Sequence, residues 1–315
     1  MDVVFFAIIN LFFIILLGFY LYRKTVLTEE SLKFLTFFVI NLSVPFLFFS
    51  TIIRTFDPRH SPHVTTFLVL SVTVFLVGIA VGYIFSLWSP RPVRREFLSL
   101  AAFQNGGYLP MNLALFLFSA ADKDTFLVYI FLYLLGFNVL MWSIGSFLIF
   151  RNKDARFELR SLCTPPVLST AIAVVLAYTG YARYVPEVVL SPMKIIGDVS
   201  FPVSMIILGA WLAKSRIPRG FSEIKPLLNV AIVKLVIVPA LFFVAALKLD
   251  IMPFLGLFIV IEASMPSAAT MPIIANIHNA NSEFTSQGVF FTHLVALVTV
   301  PVWIELYLKV TGFML

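Results

Sequence analysis

The chain has 315 residues, of which 60% are hydrophobic and 12% charged, and its formal net charge is +6. Soluble domains are usually about half apolar and about a quarter charged, so this composition excludes an ordinary globular enzyme, a disordered protein and a nucleic-acid-binding module. The lysines and arginines lie in loops between apolar stretches, which is typical of membrane orientation rather than of a nucleic-acid partner.

Apolar windows bounded by charged residues, proline or glycine predict ten membrane-spanning helices. A helix needs about 20 residues to cross about 30 Å of hydrocarbon, so ten spans with short loops use nearly the whole chain. The alternating pattern of membrane β-strands is missing from the sequence. We therefore predict an all-α polytopic protein with one domain in the lipid bilayer. Spans 1 to 10 are 3–22, 31–54, 64–88, 97–120, 126–150, 166–180, 188–213, 227–247, 253–277 and 287–312.

The distribution of lysine and arginine predicts the orientation. Fourteen of them lie on the same side as the polar loop 151–165, and seven lie on the opposite side. The positive-inside rule places the richer side in the cytoplasm. Both termini are then extracytoplasmic, in a plasma or inner membrane.

The second half of the chain repeats the first. Asn41-Leu-Ser-Val-Pro45 in span 2 matches Asp198-Val-Ser-Phe-Pro202 in span 7, at an offset of 157 residues. Matches in the same order along the chain join Phe97–Leu100 to Phe254–Leu257, Pro110 to Pro266, and Trp142 to Trp303.

These matches predict two five-helix repeats, 1–150 and 166–315, joined by the short cytoplasmic loop 151–165. Five is an odd number, so the two repeats must cross the bilayer in opposite senses. Inverted repeats of this kind are typical of secondary transporters.

Spans 4 and 9 are both interrupted in mid-membrane. Span 4 contains Gly106, Gly107 and Pro110, and span 9 contains Pro266 and Pro272. Glycine lowers helix propensity and proline removes a backbone donor. In hydrocarbon the freed backbone groups cost several kcal/mol unless they line a cavity or meet protein partners.

Two broken helices from inverted repeats are expected to meet at the midplane, with the positive ends of their half-helices facing one cavity. Backbone donors and polar side chains there would hold an anionic group such as a carboxylate. The alternative is a pair of proline kinks that only shape helix packing. The symmetry of the pair favours the binding site. The candidate substrate-binding residues are Asn105, Gly106, Gly107, Pro110, Asn112, Ser264, Pro266, Ser267 and Asn138.

Ionisable residues inside spans are costly and therefore suggest function. Glu262 in span 9 could carry or sense a proton while Lys234 in span 8 balances charge, or the two could form a permanent structural ion pair. His293 and Asn138 could line the cavity from the side, or each could form only an interhelical hydrogen bond.

Several other chemistries are excluded by the sequence. The single cysteine, Cys163, permits neither an intrachain disulfide nor a thiolate metal cluster. The phosphate-binding motif of ATP-driven pumps and the His-Glu-x-x-His motif of metalloproteases are both missing. We expect no enzymatic activity, no metal site and no cofactor beyond a coupling Na⁺ or H⁺.

The chain resembles the auxin efflux carrier family, in one of its shorter microbial-type forms, over nearly all 315 residues. The resemblance is carried by Asn105 to Pro110, Met205–Ala213, Ala263–Pro266 and Gly288–Pro301. It implies ten spans in two inverted repeats with outward termini, broken crossover helices 4 and 9 that move by an elevator mechanism, a homodimer, and small organic anions such as auxin or malate as substrates.

The resemblance also assigns individual positions. Asn105 and Pro110 match the span 4 crossover of the family and Pro266 matches that of span 9, whereas the pair Gly106-Gly107 departs from the plant members. The wider superfamily includes bile-acid sodium symporters, which keeps Na⁺ coupling open. We therefore predict a secondary transporter of small organic anions. The alternatives are a Na⁺- or H⁺-coupled carrier of the same fold and a membrane receptor that does not transport.

Overall fold

A computed structural model describes residues 2–141, 149, 163–215, 218, 220–249 and 251–315. Helices form nearly all of this part of the chain, and the described residues contain no β-strand beyond one isolated bridge. Within these described ranges, six helices are long and apolar enough to cross a membrane, and three shorter apolar helices accompany them. The prediction of an all-α fold is confirmed, while the ten-span inverted-repeat arrangement and its domain bounds stay predictions.

The helices are numbered here in chain order. Those of the first half are α1 Asp2–Arg23, α2 Glu29–Phe38, α3 Val44–Thr55, α4 Val64–Ser86, α5 Arg94–Ala102, α6 Tyr108–Leu117 and α7 Ala120–Val139. Those of the second half are α8 Pro165–Tyr178, α9 Glu187–Asp198, α10 Ser200–Lys214, α11 Phe221–Ile232, α12 Val238–Lys248, α13 Pro253–Ser264, α14 Met271–Ile277 and α15 Ser282–Thr311. Trp142, one of the predicted repeat matches, lies outside the described residues.

Two of the long helices contain a π-helical turn. Val39–Ser43 joins α2 to α3, and Val233–Ile237 joins α11 to α12. A π-turn widens the helix by one residue and is frequent at functional sites. In both cases a proline follows shortly after the turn, at Pro45 and Pro239, where it removes one backbone donor.

The π-turn of span 2 contacts span 7 just before the matched segment 198–202. Asn41 lies in the first π-turn and Asp198 lies at the junction of α9 and α10. The hydroxyl of Ser43 donates to the carbonyl of Ile196 at 2.7 Å. Asn41 donates to a carbonyl of its own helix, as expected for a residue near a proline, whereas Asp198 pairs with Lys194 at 2.9 Å.

α1 and α10 cross at close range through two glycines. A Cβ atom added at Gly209 would lie 1.9 Å from the carbonyl oxygen of Ile15, and one added at Gly18 would lie 2.2 Å from that of Ile206. Small residues let helix backbones approach in this way, and the resulting van der Waals contact stabilises packing in a membrane.

Other helices pack around the two broken helices and enclose them. α4 packs against α5 and α7, and α15 packs against α11, α13 and α14. The inner faces of these helices are buried and aromatic-rich, with Phe67, Phe126 and Phe258 fully buried. The two broken pairs, α5 with α6 and α13 with α14, therefore lie inside the protein rather than against lipid.

We predict that Gly209→Ala destabilises the protein, because the new methyl group would overlap backbone atoms of α1 that cannot rotate away. Overpacking of this kind costs about 1–3 kcal/mol and occasionally more. The unfolding temperature of the purified protein in detergent measures the loss. Leu16→Ala, on the exposed face of α1, is the matched control and should change it little. An unchanged unfolding temperature for Gly209→Ala would contradict the close crossing.

Candidate functional site

The breaks in the two interrupted helices, residues 103–107 and 265–270, pair with each other, and we call this pairing the crossing. Gln104 and Ser267 form an antiparallel bridge. The backbone N–H of Asn105 donates to the carbonyl of Pro266 at 2.7 Å, and that of Ala268 donates to the carbonyl of Phe103 at 2.9 Å. Each break thus supplies backbone partners to the other, as irregular backbone at membrane depth requires.

A cavity of about 150 Å³ lies beside the crossing. Four of the predicted substrate-binding residues line it, namely Asn105, Gly106, Gly107 and Asn138. Most of its walls are apolar, and they include Ile40, Val44, Phe48, Leu134, Phe137 and Met141. Among the described residues, none of those that line the cavity has a charged side chain.

Backbone donors at the start of α6 are free to serve a ligand in this cavity. None of the described residues accepts a hydrogen bond from the N–H of Gly106, Gly107 or Tyr108, and all three residues line the cavity. The first N–H groups of a helix carry its positive partial charge. The start of α6 therefore presents a positive, hydrogen-bonding end to an otherwise apolar cavity.

Asn105 is held in place by His293. Its amide Nδ2 lies 3.2 Å from His293 Nε2, while His293 Nδ1 lies 2.8 Å from the carbonyl oxygen of Val289. A carbonyl only accepts, so the proton is on Nδ1 and Nε2 accepts from the Asn105 amide. His293 is fully buried and does not line the cavity. Its contact with the site is thus made through Asn105.

The two predicted serines lie behind the cavity rather than in its wall. Ser264 donates to the carbonyl of Ile261 at 2.9 Å, and Ser267 donates to that of Leu100 at 2.8 Å. Pro266 contributes its carbonyl to the crossing. In this conformation, the Ser264 hydroxyl is bonded within its own helix, whereas the Ser267 hydroxyl and the Pro266 carbonyl connect one broken helix to the other.

Pro110 lies in the first turn of α6 and Asn112 in the turn that follows. The amide of Asn112 donates to the carbonyl of Tyr108 at 2.8 Å and to the hydroxyl of Ser204 at 3.1 Å. Pro110 is placed near the start of α6, where a missing N–H costs nothing. Neither residue lines the cavity, and Asn112 links α6 to α10.

Lys234 and Glu262 belong to a buried polar cluster next to the cavity, which also contains Gln104 and Tyr133. Both ionisable side chains are 0% exposed. The ammonium of Lys234 donates to Gln104 Oε1 at 3.5 Å, and Gln104 Nε2 donates to the hydroxyl of Tyr133. Among the described residues, neither carboxylate oxygen of Glu262 has a hydrogen-bond partner.

Gly106 separates this cluster from the cavity. A Cβ atom at Gly106 would lie 2.7 Å from Glu262 Oε2, 3.4 Å from Tyr133 Cε1 and 3.6 Å from Gln104 Cγ. A side chain at this position would therefore displace the carboxylate, and Gly106 both borders Glu262 and lines the cavity.

Sequence reasoning missed Gln104 and Tyr133. Gln104 lines the cavity and also binds Lys234, so it connects the two. Its place directly before Asn105 in the break was an available signal. Tyr133 lies in a continuous apolar helix and offers only its hydroxyl as a clue.

We predict that Gly106→Ala destabilises the protein by about 1–3 kcal/mol, because the carboxylate of Glu262 must leave its packed position to admit the methyl group. The matched control is Gly107→Ala, whose methyl group would meet only Leu134, at an ordinary contact distance of 3.5 Å. Thermal unfolding in detergent compares the two variants. Equal unfolding temperatures would be inconsistent with Glu262 lying against Gly106.

Comparison with known proteins identifies the family. The model of a family described as membrane transport protein matches residues 3–304. The chain is 23% identical to an uncharacterized transporter of Methanocaldococcus jannaschii over 314 residues, covering 96% of this chain and 97% of the relative. It is 25% identical to an uncharacterized transporter of Methanothermobacter thermautotrophicus over 311 residues, covering 94% and 96% respectively.

These matches confirm the resemblance noted in the sequence and indicate a transporter rather than an enzyme. Together with the six helices long enough to span a bilayer, they make the protein an integral membrane protein. The chain belongs to the membrane transport protein family of the auxin efflux carriers.

Proposed function

We propose that this protein is a secondary transporter that moves a small organic anion across the bilayer by alternating access, with the anion bound in the cavity beside the crossing. The observation that carries the proposal is the group of free donors at one end of that cavity. No residue that the structure describes accepts a hydrogen bond from the N–H groups of Gly106, Gly107 and Tyr108, and Asn105 and Asn138 line the same cavity.

An anion suits these donors better than a cation. Backbone N–H groups at a helix start hydrogen-bond carboxylates and phosphates, and the helix dipole adds to the attraction. The lining offers no acidic side chain in the described residues that would hold a cation instead. The N–H groups at the start of α6 would replace the water molecules that a carboxylate loses on entering the protein.

The walls of the cavity favour an auxin-like substrate over a dicarboxylate such as malate. One end of the cavity is polar, whereas Phe48, Leu134 and Phe137 supply apolar surface elsewhere. A second carboxylate against that surface would be desolvated without a partner, which is costly. We therefore propose a monocarboxylate with an apolar body as the substrate class.

The architecture in this proposal is ten spans in two inverted repeats, 1–150 and 166–315, joined by the cytoplasmic loop 151–165. Two features support it. The breaks of the two broken helices pair with each other through Gln104 and Ser267, and the irregular turn of span 2 contacts span 7 through Ser43 and Ile196. An elevator motion of the broken helices, extracytoplasmic termini and a homodimer are expected from the family and belong to the same proposal.

The proposal is tested by uptake into liposomes that contain the purified protein. Labelled indole acetate and malate would be supplied with and without Na⁺ or pH gradients. We expect uptake of indole acetate, and we expect Asn105→Ala to reduce it tenfold or more, because a hydrogen bond to a charged group contributes about 1.5–3 kcal/mol. Asn138→Ala should reduce it in the same direction.

Asn10→Ala is the matched control, since Asn10 is exposed on α1 and remote from the cavity, and it should transport like the wild type. Wild-type uptake that survives in Asn105→Ala would place the binding site elsewhere. Binding of the anion without uptake would instead identify a membrane receptor.

A carrier coupled to H⁺ is the second candidate, and it is favoured by Glu262, whose buried carboxylate has no hydrogen-bond partner among the described residues. If this group takes up the coupling proton, Glu262→Gln should abolish the dependence of uptake on a pH gradient. The same liposome assay measures it, across an imposed gradient and without one. A variant with the pH dependence of the wild type would rule out a proton role for Glu262.

A further inference from the structure

We propose that the ammonium of Lys234 is a built-in cation that neutralises Glu262 beneath the anion site, and that it takes the place a coupling Na⁺ ion would fill. The inference rests on the proposed transport function, because it explains how an anion can bind beside a buried carboxylate. With Lys234 in this place, the carrier would not need Na⁺.

Because both side chains are buried, a charge on Glu262 must be balanced by the opposite charge on Lys234. Glu262 and Lys234 are both fully buried and belong to one cluster: Lys234 donates to Gln104 Oε1 at 3.5 Å, and Glu262 Oε2 and Gln104 Cγ both border the space beside Gly106. A single ionised group in a protein interior costs several kcal/mol unless an opposite charge offsets it, so removal of either partner leaves the other in an unfavourable state. The pair has no net charge, whereas either group alone has one.

The position of the pair relates it to the substrate. Glu262 Oε2 lies directly behind Gly106, and the N–H of Gly106 is one of the free donors of the cavity. An uncompensated negative charge at this point would repel an incoming carboxylate and cancel the positive end of α6. Lys234 removes this repulsion. It also binds Gln104, which lines the cavity itself.

A π-turn delivers the ammonium to this place. Lys234 lies within Val233–Ile237, where the helix is widened. The carbonyl of Leu235 in the same turn accepts a hydrogen bond of 2.8 Å from Trp303 Nε1, so a side chain of α15 stabilises the turn. A π-turn is retained in a helix mostly where function needs it, and here its charged residue points into the protein interior, where it is fully buried.

The buried cluster that contains the ammonium offers oxygen atoms of the kind that hard cations bind. Glu262, Gln104 and Tyr133 supply carboxylate, amide and phenol oxygens. In the part of the chain that the structure describes, no group of three or more His, Cys, Asp or Glu residues could hold a metal ion. With Lys234 present, an added Na⁺ would meet a like charge. Without Lys234, the same oxygens and the space of its side chain would be open to Na⁺.

The test compares the thermal unfolding of the full-length protein in NaCl and in N-methyl-D-glucamine chloride at equal ionic strength. The wild type should unfold at the same temperature in both salts. Lys234→Ala should unfold well below the wild type in the organic salt, and Na⁺ should raise its unfolding temperature by several degrees in a saturable manner. Lys194→Ala, which removes a lysine from the surface pair with Asp198, is the control and should show no Na⁺ response.

The double variant Lys234→Ala/Glu262→Gln separates charge balance from simple loss of packing. It should be more stable than Lys234→Ala in the organic salt and should not respond to Na⁺, because the carboxylate that needs a cation is gone. If Lys234→Ala does not fold, a folded double variant supports the proposal, and a double variant that is equally unfolded overturns it.

Two further results would overturn the inference: saturable, Na⁺-specific stabilisation of the wild type, or a folded Lys234→Ala that ignores Na⁺. Neither readout needs a substrate. A negative result here therefore leaves the transport proposal standing, and a protein that fails to take up anions in liposomes still gives a readable answer in this test.

Discussion

The structure depends on one requirement, that every backbone polar group at membrane depth finds a partner. Glycine and proline end the helices at 103–107 and 265–270, and the unpaired groups of these two segments would be prohibitively costly in hydrocarbon. The two short bonds from Asn105 to Pro266 and from Ala268 to Phe103 pair two donors and two acceptors of these segments. Each break exists because the other lies across from it, and the surrounding helices bury both.

The same pairing leaves some backbone N–H donors without a partner in the described residues, and these donors form part of the candidate site. After the crossing has used the N–H of Asn105, the next donors along the chain at Gly106 and Gly107 have no hydrogen-bond partner in the described part of the chain. They face a small apolar cavity on one side and a buried carboxylate on the other. A ligand with a negative end and an apolar body fits the cavity, and the ammonium of Lys234 neutralises the buried carboxylate.

Much of the fold was predictable because its signals are local. Long apolar runs define helices, and the glycine pair and Pro266 mark the breaks without reference to any neighbour. The site was predictable only in part. Asn105, the two glycines and Asn138 line the cavity. Ser264 instead turns back to a carbonyl of its own helix, and Ser267 bonds to the carbonyl of Leu100, which only packing brings near. Likewise, nothing local in the sequence indicates the π-turn that carries Lys234 into the core.

The glycine contact between α1 and α10 has a consequence for movement. Gly209 faces the carbonyl of Ile15 and Gly18 faces that of Ile206, so each backbone lies in a notch that only a residue without a side chain provides. Sliding either helix along the other by a single residue, about 1.5 Å, would bring a side chain into the notch. The two helices are thus locked in register and move as one rigid body, and any rearrangement that exposes the cavity to alternate sides of the membrane must take place along other helix boundaries.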